Sequence, residues 1–222
     1  MDNTSNTTNP PAVRGHVGIA HHSGEPLAPD DPRVAFLRAA QTAQAVVGTV
    51  ERTDEQRPTP CAGWTVTDLV RHVVAVFDRV VAAPSGADLA AMPTMASVEV
   101  GTAADAIGDR LPAIHAAWED PARLEQLIEA PWGPTPGGVC LQVWAGELLM
   151  HTWDLSVSIG VSVDWPEPDV SMALEGSIAS LPPERPAAEI PFDDAVAIAD
   201  DAPTIERLVA WVGRNPADPI RV

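Results

Sequence analysis

Glu147 and His151 stand four residues apart in a stretch rich in Trp, Leu and Met. Side chains at i and i+4 of a helix lie one turn apart on the same face, so this carboxylate and this imidazole point the same way. A third ionisable residue, His72, interrupts another apolar run between Leu69, Val73 and Val76. Burying a lone carboxylate costs several kcal/mol unless it is paired or bound to a cation. A divalent metal held by His72, Glu147 and His151 would satisfy all three groups at once. Two imidazoles and one carboxylate around an open position form the ligand set of a catalytic zinc or related site. Spacing alone leaves a plainer reading open: Glu-x-x-x-His pairs recur on helices by chance, and a histidine on an apolar face is often a hydrogen-bonded core residue.

The elements that must position these groups can be read from periodicity. Apolar residues at helical spacing predict helices over about 31–51, 65–83, 98–119 and 139–159. Thr65 with Asp68 three positions on forms a capping box for the second, so Asp68 is expected to cap the helix and not to join a metal. Gly160 marks the end of the fourth. A short helical extension is expected over 121–129, and the Pro- and Gly-rich segment 131–138 is expected to be irregular. Beyond Gly160 the pattern weakens to helices near 170–180 and 204–213, with a short strand at 195–199. The expected organisation is a flexible leader (1–30), a helical bundle (31–160) and a C-terminal extension packed on it (161–222).

Of the 222 residues, 13 are basic, all of them arginine, and 31 are acidic, giving a formal net charge of −18. Such a surface repels phosphate backbones and anionic head groups, so neither nucleic acid nor membrane is an expected partner. No secretory leader or long apolar span is evident, and two cysteines make no disulfide framework, which points to the cytoplasm.

Two segments carry a family resemblance. Thr59-Pro-Cys-Ala-Gly-Trp-Thr-Val-Thr-Asp-Leu-Val-Arg-His72 and Glu147-Leu-Leu-Met-His-Thr-Trp-Asp-Leu155 resemble the second- and fourth-helix signatures of the DinB-like, mycothiol-dependent maleylpyruvate isomerase N-terminal domains. Pro131-Trp-Gly and the stretch from Asp201 to Arg214 resemble the actinobacterial metal-binding subgroup of that family. The resemblance implies an all-α, DinB-like four-helix bundle with a short C-terminal α(+β) embellishment. It implies a divalent metal on His72, Glu147 and His151, zinc before nickel or iron, and mycothiol as a co-substrate. The expected partners are a small-molecule thiol and an electrophile, joined by S-transfer or thiol-assisted isomerisation; the general base is not legible. A non-catalytic metal-binding sensing or interaction module, and a metal-independent biosynthetic enzyme, are the alternatives. Asp154, Trp64, Trp144 and His115 are further candidates, Asp154 to orient a ligand imidazole and the others to line a pocket. Cys61, just before a helix start, reads as a small packed residue.

Overall fold

The computed structural model describes residues 27–185 and 192–220, so most of the expected leader lies outside the described residues. Helix α1 (Pro32–Val47) begins at Asp31, whose carboxylate accepts from the Arg33 backbone N–H, with proline in the first turn. Helix α2 (Val66–Ala82) starts with the expected capping box: the Thr65 hydroxyl accepts from the Asp68 backbone N–H, and the Asp68 carboxylate accepts from that of Thr65. Asp68 is thereby used by the helix end, as its spacing predicts.

Helix α3 (Ala103–Ala117) and the four-residue α4 (Ala122–Glu125) lead into a small antiparallel hairpin of β1 (Leu127–Ala130) and β2 (Gly133–Pro136). Two expectations are corrected here. The helical extension expected over 121–129 stops at Glu125, and the segment 131–138 expected to be irregular supplies β2. The strands pair Leu127 with Pro136 and Ala130 with Gly133. Made of Gly133, Pro134, Thr135 and Pro136, β2 has no apolar period from which a strand could be read.

Helix α5 (Gly137–Ile159) is the central element. It packs on α1, α2, α4, α6 (Glu167–Ser180), α7 (Thr204–Trp211) and the hairpin. A helix enclosed on most sides needs apolar residues around most of its circumference, and α5 buries Leu141, Trp144, Leu148, Leu149 and Leu155 accordingly. It packs along α1, which buries the small residues Ala39, Ala40 and Ala43 fully. At its start, Gly137 lies so close to the α4 turn that a Cβ there would stand 2.2 Å from the Arg123 carbonyl oxygen. It ends at Gly160 in the left-handed conformation (φ 75°), where glycine carries no Cβ penalty.

Among the described residues the chain is thus mostly helical with one two-stranded sheet. Residues 195–199, expected as a strand, form no strand and pair with none among the described residues. Instead the Ala195 N–H donates to Pro183 O and the Val196 N–H to Ala210 O. No helix among the described residues is long and apolar enough to cross a membrane.

Candidate functional site

The second turn of α2 and the C-terminal half of α5 face one another. His72 is buried and Glu147 and His151 are half-buried. One ligand atom from each of the three lies within 4.8 Å of the others. His72 Nε2 stands 3.1 Å from Glu147 Oε1, while its Nδ1 lies 2.9 Å from the Thr94 carbonyl oxygen. A carbonyl only accepts, so Nδ1 carries a proton and donates it. A neutral His72 would then present the Nε2 lone pair to a carboxylate, two acceptors face to face. Either a second proton on His72 or a cation must lie between them. The donor set therefore fits a divalent cation on its own chemistry.

Glu147 is drawn two ways. Burial pushes its carboxyl up, but the hydrogen bond with His72 and the electrostatic pull of the neighbouring His151, His72 and Arg79 outweigh burial and hold it below the usual carboxylate value. It is ready to act as an anion.

His151 is oriented from behind. Its Nδ1 lies 3.0 Å from Asp154 Oδ2, one turn further along α5. Asp154 is fully buried, and burial alone would raise its pKa. The adjacent Arg214 guanidinium and the His151 hydrogen bond win, holding it at about 2. Being ionised, Asp154 can only accept, so the His151 proton sits on Nδ1 and Nε2 keeps a free lone pair. Burial, helped by the nearby His72 and Arg214 charges, keeps His151 below its ordinary value although Asp154 opposes the shift. Neutral imidazole is the form that ligates metal.

Arg214 closes this arrangement from the segment after α7. It donates from Nε to Asp154 Oδ1 (3.2 Å) and from a terminal nitrogen to Oδ2 (3.0 Å), and it reaches the Cys61 Sγ at 3.5 Å. Cys61 donates to Asp154 Oδ2 (3.3 Å) and lies 3.8 Å from His151 Nδ1. Cys61, His151 and Asp154 form a second compact group of metal-ligand types. There the Arg214 guanidinium already supplies the cation. Burial and the Asp154 charge push the Cys61 thiol up to about 12, against the pull of Arg214. Cys61 is a protonated hydrogen-bond donor at neutral pH, and no nucleophile.

The remaining candidates divide. The Trp64 indole packs against both imidazoles, with ring centroids 4.9 Å from His72 and 6.4 Å from His151. Trp144 is buried between Trp118 and Trp132, at centroid distances of 6.4 and 6.0 Å, and belongs to the core. His115 is exposed on α3 and joins neither group of metal-ligand types, so its expected place facing the site is corrected. The buried stripe of α3 runs through Ala103, Ile107 and Ile114, and His115 lies about 100° around the helix from Ile114. Arg214 was not found by sequence reasoning, and Cys61 was read only as packing; both meet the site through contacts 60 and 93 residues apart in sequence.

The model of the mycothiol maleylpyruvate isomerase N-terminal domain family matches residues 36–156, a span holding His72, Glu147, His151 and Asp154. Two uncharacterized proteins of Mycobacterium tuberculosis, one from strain CDC 1551 / Oshkosh and one from strain ATCC 25618 / H37Rv, are each 29% identical over 187 residues. Each alignment covers 83% of this chain and 98% of the relative. A crystal structure of the mycothiol-dependent maleylpyruvate isomerase, carrying a histidine-to-alanine substitution, is similar in fold. The TM-score is 0.51 at 13% identity, covering 68% of each chain.

Proposed function

The chain belongs to the mycothiol maleylpyruvate isomerase N-terminal domain family, and from that premise we propose that it is a thiol-dependent enzyme whose chemistry is organised by a divalent cation on His72, Glu147 and His151. In this reading α1, α2, α3 and α5 form a DinB-like four-helix bundle (residues 31–160), and residues 161–222 are an extension packed on it. The observation that carries the reading is the convergence of His72 Nε2, Glu147 and His151 within 4.8 Å of one another, with no side-chain donor to His151 Nε2 among the described residues.

A bound divalent cation, zinc before nickel or iron, would supply a Lewis-acidic position that favours the thiolate of a low-molecular-weight thiol at neutral pH. The protein's own residues do the rest. Thr94 and Asp154 fix the tautomers of His72 and His151, so each presents Nε2 to the cation. Arg214 keeps Asp154 ionised, and Trp64 covers the imidazoles. Neither thiol of this chain competes as nucleophile: the Cys61 proton is held, and Cys140 is fully buried with its thiol pushed up to about 11 by burial. An external thiol, mycothiol by family, would then attack an electrophilic carbon as its thiolate, either displacing a leaving group from that carbon (S-transfer) or adding to a conjugated double bond and being expelled again after rotation about the resulting single bond (isomerisation). The reading sets the protein in the cytoplasm with such small molecules as its partners.

The test is elemental analysis of untagged protein beside His72→Ala and Glu147→Ala, followed by thiol consumption with an electrophile panel. One equivalent of metal, lost in both variants, together with metal-dependent thiol consumption supports the proposal. Metal without turnover favours a sensing or interaction module. Turnover that survives chelation favours a metal-independent enzyme, and no metal uptake at all sinks the cation.

A further inference from the structure

The chain carries 18 more acidic than basic residues, and its arginines are used accordingly. Among the described residues, every other arginine that is buried or half-buried gives its guanidinium to an oxygen acceptor. Arg207 is the exception: half-buried on α7, its guanidinium has no hydrogen bond or ion pair among the described residues. Arg207 lines a cleft of about 390 Å³ between α6, α7 and the segment 195–199. The walls are Leu174, Ile178, Val196, Ile198 and Trp211. Ile178 is 47% exposed there, an apolar surface left open beside a cation that lacks a counter-ion.

From this pairing we infer that the α6–α7 cleft is a binding site for a small monocarboxylate with an apolar body, its carboxylate on Arg207 and its body against Ile178 and Trp211. A planar guanidinium matches a carboxylate with two parallel hydrogen bonds. An apolar cavity with one convergent polar group is the usual form of a small-molecule site. Asp200 lies exposed at the rim of the same cleft; together with the overall negative charge it works against phosphates and other multiply charged anions. The volume lies within the usual range of small-molecule sites. Residues 195–199, in no strand among the described residues, form one wall of the cleft. None of the site residues on α2 or α5 takes part, so this site stands or falls apart from the thiol chemistry.

The probes are 3-phenylpropionate and its alcohol, 3-phenylpropanol, titrated calorimetrically into full-length wild type, Arg207→Gln, Arg207→Lys and Glu147→Ala. The expected result is saturable binding of the acid, at least about tenfold tighter than the alcohol. Arg207→Gln should lose that preference, Arg207→Lys should keep part of it, and Glu147→Ala should leave it unchanged. Equal affinity for acid and alcohol, or no saturable binding of either, overturns the proposal. So does binding that persists in Arg207→Gln but vanishes in Glu147→Ala, which would assign the carboxylate to the α2–α5 site. Should Arg207→Gln fail to fold, the acid–alcohol comparison on wild type decides alone.

Discussion

Asp154→Asn separates what a buried carboxylate does for the fold from what it does for the site. The carboxylate is fully buried between three partners: His151 at 3.0 Å, Arg214 at 3.0 Å and Cys61 at 3.3 Å. Its pKa of about 2 against an ordinary 3.8 means the folded protein prefers the charged form by about 2 kcal/mol. Removing one partner of a buried pair also leaves the other charge uncompensated, at a cost of about 3–5 kcal/mol. Asn retains one acceptor oxygen, which offsets part of this. The expected destabilisation of the metal-free protein is therefore about 2–4 kcal/mol, read as a shifted urea midpoint with unchanged m-value. Zinc affinity, measured by competition with a chelating dye, should fall by about 10–100-fold, because His151 loses the acceptor that fixes its tautomer. The double variant Asp154→Leu with Arg214→Leu sharpens the test. Replacing a buried pair by apolar residues is often near neutral for stability, yet zinc affinity should still fall. A destabilisation under about 0.5 kcal/mol in Asp154→Asn, with zinc affinity unchanged, would refute the reasoning from charge and tautomer together.

Two further outcomes follow from the same packing. The folded pKa of Asp154 is depressed, so its contribution to stability is complete above the unfolded value near 3.8 and is lost as pH falls from there through about 2; the stability gap between wild type and Asp154→Asn should narrow over that window in acid titrations followed by circular dichroism. Gly137→Ala sets a Cβ 2.2 Å from the Arg123 carbonyl oxygen and 2.8 Å from the Trp118 ring, an overpacking worth about 1–3 kcal/mol; the melting temperature should drop by about 5 °C.

The long helices were legible because α1 and α2 bury apolar stripes whose period survives in the sequence, because α5 is apolar over most of its length, and because α2 and α5 carry explicit end signals in Thr65, Asp68 and Gly160. The hairpin was not, since β2 is made of Gly and Pro partners whose pairing depends on β1 and on the hydrogen bond from Gly137 N–H to Gln126 O. The His72, Glu147 and His151 group was legible because charged residues on apolar faces demand an explanation and because helix spacing already aligns two of them. The bonds behind it were only half legible: Asp154 lies one turn from His151 and could be expected, whereas Arg214 arrives through tertiary packing that no local pattern encodes. His115, named as a pocket candidate, is exposed on α3, whose buried positions are Ala103, Ile107 and Ile114.

That Glu147, His151 and Asp154 all ride on one uninterrupted helix has a consequence for how such a scaffold can diverge. Each residue inserted or deleted in α5 turns everything beyond it by about 100°. A single indel between Glu147 and Asp154 would therefore swing part of the trio away from His72 and Arg214, and no side-chain substitution nearby could restore the phase. Length changes must instead accumulate in segments that carry no phase, such as 86–99 between α2 and α3, which contributes only the Thr94 carbonyl to His72. Families built on such a helix are expected to vary their substrates by remodelling those connections, while the spacing along α5 stays fixed as the ruler against which each variation is tried.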